Sequence, residues 1–248
     1  MGISAQGAEH LTMKIGRAYK HAKEFDALVV AHCTRKDLFT ATGREENGRY
    51  IVRVEYAPQD GDITLSLADF AYNLRSGLDQ FAWQLCLAGG GIPGRGTMFP
   101  IFEKDDPPTQ ANFLKCVSGM PPDAIDVIRD LQPYKRADFR QDPLWQLNAL
   151  ANLDKHRLPA GRSSDTSFYI EPVGFIKTDF DNGIELSWPL CAKDRVKVEG
   201  KTPGLTFGEP IDSSTPSAMP LELTRQDIAE IYRYVREDVG PRLIPFLT

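Results

Sequence analysis

Residues 66–87 read SLADFAYNLRSGLDQFAWQLCL, and the way this stretch repeats decides the fold. Leu67, Ala71, Leu74, Leu78, Phe81 and Leu85 step by four and three, which holds them in a narrow arc of an α-helix. Asp62 and Thr64 offer N-caps upstream, and the Gly89-Gly90-Gly91 run stops the helix downstream. A long helix with one apolar stripe packs against other helices. The shoulders of the stripe are polar. At about 100° per residue, Arg75 and Asp79 fall on one shoulder and Asp69, Asn73, Gln80 and Gln84 on the other. The spacing of Arg75 and Asp79 is that of an intrahelical ion pair.

Upstream, Leu11, Ile15, Ala18, Ala22, Phe25 and Val29 give a second helix over about 8–37. Beside its stripe run His10, Lys14, Arg17, His21 and His32, a basic row that suits either solvent or an anion. The three histidines recur every eleven residues, ~16 Å apart along the axis, too far to share a metal ion. Between the two helices, residues 39–57 change period. Tyr50 to Tyr56 alternates and is rich in β-branched and aromatic side chains, and Asn47-Gly48 is a hairpin turn signal.

Downstream, residues 89–108 form a Gly- and Pro-rich loop. Its GGGIPGRG string lacks the Lys-Ser/Thr ending of a phosphate loop, so an ordinary loop is expected, with Met98 to Phe102 laid back on the bundle. Short helices follow over 109–118 and 121–131. Asp142 with Pro143 opens another, which ends in Asn152, Asp154, Lys155, His156 and Arg157. After Pro159 short strands are expected over 167–173, 175–180, 183–188 and 195–198, then loop over 200–220. A closing helix starts at Thr224 and ends at Gly240-Pro241.

The architecture expected is α+β: an N-terminal helical bundle with an inserted β-hairpin over residues 1–158, then a small antiparallel sheet and a C-terminal helix over 159–248, packed as one unit. The 248 residues carry 42% hydrophobic and 25% charged side chains, ordinary for a soluble globular chain. A net charge of −5 gives no global pull toward nucleic acid or an anionic membrane. No hydrophobic leader or long apolar run is seen, and Cys33, Cys86, Cys116 and Cys191 are scattered, so a reduced, cytoplasmic protein away from membranes is expected. No metal or cofactor is expected either, because metal-ligand spacings and nucleotide-binding fingerprints are missing.

Two polar constellations remain. One is Asn73, Arg75, Asp79 and Gln80 on the central helix; the other is Asn152, Asp154, Lys155, His156 and Arg157. His156, between two cations, is biased toward its neutral form, which suits a general base acting on an anionic substrate. The same cations also complement a helix C-terminus.

The segment NLRSGLDQFAW resembles the Arg-x4-His element of the HEPN superfamily of helical-bundle proteins, many of them metal-independent ribonucleases of bacterial defence and toxin–antitoxin systems. The resemblance puts the family's arginine at Arg75 and its histidine position at Gln80, and it implies a homodimer acting on RNA. NLRSxLDxxAW, FPI, LQPY and LxNLDKHR together also resemble a group of bacterial proteins. Two readings follow. In one, Arg75 stabilises the scissile phosphate of RNA and His156 acts as base, while Asn73, Asn152, Lys155 and Arg157 position the backbone. In the other, the chain is a non-catalytic interaction or small-ligand-binding module, with Arg75–Asp79 and Asp154–Arg157 as structural pairs joining bundle to sheet.

Overall fold

The computed structural model describes residues 3–57, 60–154, 160–164, 167–171, 174–177, 184–189, 197–200, 204–208 and 221–247. Helices and strands alternate in blocks, the α+β arrangement expected. The chain divides into two compact units that interleave along the sequence.

The first unit comprises Met1–Glu24, Leu65–Pro159 and Gln226–Thr248. It is helical. It holds the N-terminal part of α1 (Ile3–Cys33), most of α2 (Gly61–Ala88), α3 (Pro107–Cys116), α4 (Pro122–Asp130), α5 (Pro143–Asp154), most of α6 (Arg225–Tyr234) and the short α7 (Gly240–Leu243). Every residue of the α2 stripe, from Leu67 to Leu85, is buried to within 1%. Ile128 of α4, Leu144, Leu147 and Leu150 of α5 and Ile231 of α6 are fully buried as well. Burying such side chains stabilises by about 1.5–3 kcal/mol each, which makes α2 the spine of this unit.

The helix ends follow from local chemistry. Asp142 caps α5: its Oδ1 accepts from the backbone N–H of Leu144 at 2.8 Å. Its Oδ2 takes Arg136 Nε at 2.5 Å. At α2 the cap lies earlier than Asp62 or Thr64. Asp60 Oδ1 accepts the Asp62 N–H at 3.0 Å, because a turn of helix starting at Gly61 leaves that donor without a carbonyl. α1 stops at Cys33 rather than near 37, where Thr34 Oγ1 donates to Val30 O at 2.8 Å. The closing helix does not end at Gly240-Pro241. It passes through a π-turn at Val235–Val239, and Pro241 starts the next turn, where a missing N–H costs nothing.

The second unit comprises Phe25–Thr64 and Ala160–Arg225. Its hairpin pairs β1 (Phe39–Glu46) with β2 (Arg49–Tyr56), turned at Asn47 and Gly48, with φ of 50° and 73°. Both residues lie in the left-handed region that a tight hairpin turn requires. β2 also pairs antiparallel with β6 (Ile184–Pro189), setting Val52 opposite Leu186. Arg44 of β1 reaches Glu185 of β6 with two bonds of 3.0 Å. A second sheet runs β3 (Ala160–Ser164), β8 (Gly204–Gly208), β9 (Glu222–Leu223), and a third runs β5 (Gly174–Lys177), β4 (Ser167–Glu171), β7 (Lys197–Gly200). β8 falls where loop was expected. Phe207 anchors it, fully buried with its ring edge-on to Phe25 of α1 at 4.9 Å.

Candidate functional site

The polar shoulder of α2 is built around one peptide. Arg75 Nη1 donates to Asp79 Oδ1 at 2.8 Å, and Arg75 Nη2 donates to the carbonyl of Phe99 at 3.0 Å. The N–H of Phe99 donates to the same Asp79 Oδ1 at 3.0 Å. The expected ion pair therefore forms, and it grips both polar groups of one backbone residue. Its partner is the 98–102 segment of the first unit, not a sheet. The two members differ in access to water: the Arg75 side chain is 14% exposed and that of Asp79 is 40% exposed. Burial pushes the Arg75 pKa down, and the neighbouring carboxylate of Asp79 opposes that shift.

A second clamp acts a few residues on. Gln132 is buried; its Nε2 donates to Pro100 O at 2.9 Å and its Oε1 accepts from Phe102 N at 3.0 Å. Phe99 is fully buried beneath, as expected of this segment, whereas Met98 is 39% exposed. The preceding glycine loop is also structural. A Cβ on Gly91 would stand 2.7 Å from the Cα of Gly119, so the two backbones meet where only hydrogens fit. Cys86 adds a bond from its thiol to Ser118 O at 3.2 Å.

On the outer side of this framework lie two adjoining clefts. One, of about 390 Å³, is lined by Met13, Lys14 and Arg17 of α1 and by Asn73 and Gln80 of α2. The basic row of α1 thus faces the amide row of α2. Asn73 turns its Nδ2 back to Asp69 O at 2.8 Å, which fixes the side chain. The other cleft, of about 400 Å³, is lined by Tyr72 and Trp83 together with Arg75, Ser76, Gln80 and Thr97. Gln80 borders both clefts. Lys14 Nζ lies 5.5 Å from the centre of the Tyr72 ring, a cation–π distance that ties the clefts together.

Of the residues singled out from sequence, Asn73, Arg75, Asp79 and Gln80 are brought together here. Asn152 lies exposed on the last turn of α5, next to Ala151, which lines the second cleft. Asp154 closes α5, but its side chain, together with Lys155, His156 and Arg157, lies outside the described residues. Tyr72 and Trp83 were not legible as site residues, although their eleven-residue spacing puts them about 20° apart on the helix, opposite the leucine stripe. Cys116, buried near Arg75, has its thiol pushed up by desolvation, which disfavours the thiolate.

Among the described residues, no group of three His, Cys, Asp or Glu side chains could hold a metal ion. No helix among them is long and apolar enough to cross a membrane. The site can bind an anion with Lys14 and Arg17, hydrogen-bond in both directions through Asn73 and Gln80, and offer aromatic faces. No protein-family model matches the chain, and no curated protein or solved structure is significantly similar to it.

Proposed function

We propose that this chain is a HEPN-like protein that binds RNA along the α1–α2 face of its first unit. One observation supports it above the others: Lys14 and Arg17 stand across a cleft from Asn73 and Gln80, a few residues from Arg75. Phosphates meet cations there, and sugar or base edges meet amides, which is the mixture of contacts that RNA uses. The acidic net charge does not oppose this, since a local basic row governs the potential within a Debye length of ~8 Å.

In the catalytic form of this reading the protein is a metal-independent ribonuclease, acting as a homodimer. Arg75 stabilises the scissile phosphate and His156 takes the proton, because the Gln80 amide hydrogen-bonds but cannot transfer one. A second reading draws on a separate observation. Both Nη atoms of Arg75 are engaged by Asp79 and Phe99, which favours the non-catalytic protein-interaction or small-ligand-binding module.

Labelled single-stranded RNA in EDTA tests both. Binding is expected to weaken with salt, and each of Lys14→Ala and Arg17→Ala is expected to lower the slope of log K against log salt by about 0.7. Cleavage lost in His156→Ala and Arg75→Ala marks the ribonuclease; binding without cleavage marks a non-catalytic RNA-binding protein. Wild-type protein that neither binds nor cleaves RNA overturns the proposal.

A further inference from the structure

The second cleft has a feature that phosphate binding does not use. Tyr72 and Trp83 are 59% and 42% exposed, on a helix whose opposite face is the centre of the core. Eleven residues place them on one side of α2, ~16 Å apart along its axis, with Ser76 and Gln80 between. We propose that this trough is a stacking site for unpaired bases, so that the RNA bound here is single-stranded. The inference rests on the reading that the α1–α2 face takes RNA, and it adds which form of RNA and which atoms.

Aromatic faces bind bases because every base has a π-face, whatever its sequence. A duplex hides those faces within its own stack, whereas a single strand can splay them out. The surrounding charge fits that occupant. Lys14 lies against Tyr72 at one end of the trough and Arg17 beyond it, placed to meet the phosphates that run beside stacked bases. Asp79, the carboxylate lining the trough, is neutralised by Arg75. The ~16 Å of helix rise between positions 72 and 83 corresponds to about five steps of ~3.4 Å, so an oligonucleotide of about six residues spans the trough and a mononucleotide cannot. Gln80, at the junction of the clefts, is positioned to meet base edges with a donor and an acceptor.

The experiment measures fluorescence anisotropy of a labelled oligonucleotide of about six residues, a longer single strand, and a duplex of the longer sequence, all in EDTA. Wild type is expected to prefer single strand to duplex by about tenfold or more. Tyr72→Ala and Trp83→Ala are each expected to weaken single-strand binding about tenfold, while Tyr72→Phe and Trp83→Phe keep it, since a phenyl face still stacks. Equal binding of duplex and single strand, or alanine variants that bind like wild type, overturns the stacking site and leaves RNA binding standing. No binding of any RNA by wild type removes both. Alanine variants whose sedimentation changes while RNA affinity does not would assign the trough to a second copy of the chain. Because both rings are exposed, the variants are expected to melt like wild type, and a melt on each confirms that a lost contact is read.

Discussion

Replacing Asp79 by alanine should destabilise the protein more than replacing Arg75, although both changes break the same ion pair. The reason is the unequal exposure of the two side chains, 14% for Arg75 and 40% for Asp79. Without Asp79, a mostly buried guanidinium loses its counter-charge and the Phe99 N–H loses its acceptor. An unpaired buried charge of this kind costs ~3–5 kcal/mol. Without Arg75, the carboxylate turns to water and only the Phe99 carbonyl is stranded, a loss of ~1–3 kcal/mol. Converted at ~2–4 °C per kcal/mol, the Asp79→Ala melting point should fall by roughly twice as much as that of Arg75→Ala. Urea unfolding of both single variants and of the Arg75→Met, Asp79→Leu pair completes a cycle, and the pair should cost at least ~1 kcal/mol less than the sum. An Arg75→Ala loss equal to or larger than that of Asp79→Ala would show that burial of the guanidinium does not set the cost, and additive losses would show that the two side chains are not coupled.

The second clamp makes a related prediction: Gln132→Leu strands the Phe102 N–H and the Pro100 carbonyl, so thermal melts should show a loss of about 2–4 kcal/mol, with Gln132→Glu worse because it buries a charge. Gly119→Ala combines a φ of 81° with a built Cβ 2.9 Å from the Cα of Gly91, and should lower the melting point by more than the ~1 kcal/mol of the left-handed backbone alone. His32 is buried, and burial, aided by Arg35 and opposed by Asp60, holds its pKa below the ordinary 6.5. The unfolded chain therefore binds this proton more readily, so the stability is fully present above about pH 6.5 and is lost as pH falls below that value. Melts of wild type and His32→Gln over that range should show a steeper acid loss in wild type, and parallel curves would contradict it.

The helical part of this fold could be read from sequence because its signals are local. The leucine stripe of α2 and the Asp142-Pro143 start of α5 depend on residues a turn apart, and the structure places them as expected. The hairpin carried its own Asn47-Gly48 signal. What escaped depends on long-range partners. The pairing of β2 with β6 joins residues 130 or more positions apart, and β8 is short, with glycines at both ends that imitate a loop. The site was half legible for the same reason. The spacing of Arg75 and Asp79 announced the pair, but nothing near them announced that Phe99 would be its target. Tyr72 and Trp83 could have been found by asking which large aromatic residues leave the apolar stripe of α2.

RNA is proposed to lie along the α1–α2 face of the first unit. Ultraviolet crosslinking of labelled single-stranded RNA to the full chain, with the crosslinked peptides mapped by mass spectrometry, tests it most directly. Adducts are expected on the α2 peptide that carries Tyr72 and Trp83 and on the α1 peptide that carries Lys14 and Arg17, both lost in competition with unlabelled single strand. Adducts confined to the second unit, or none above a denatured control, would contradict it.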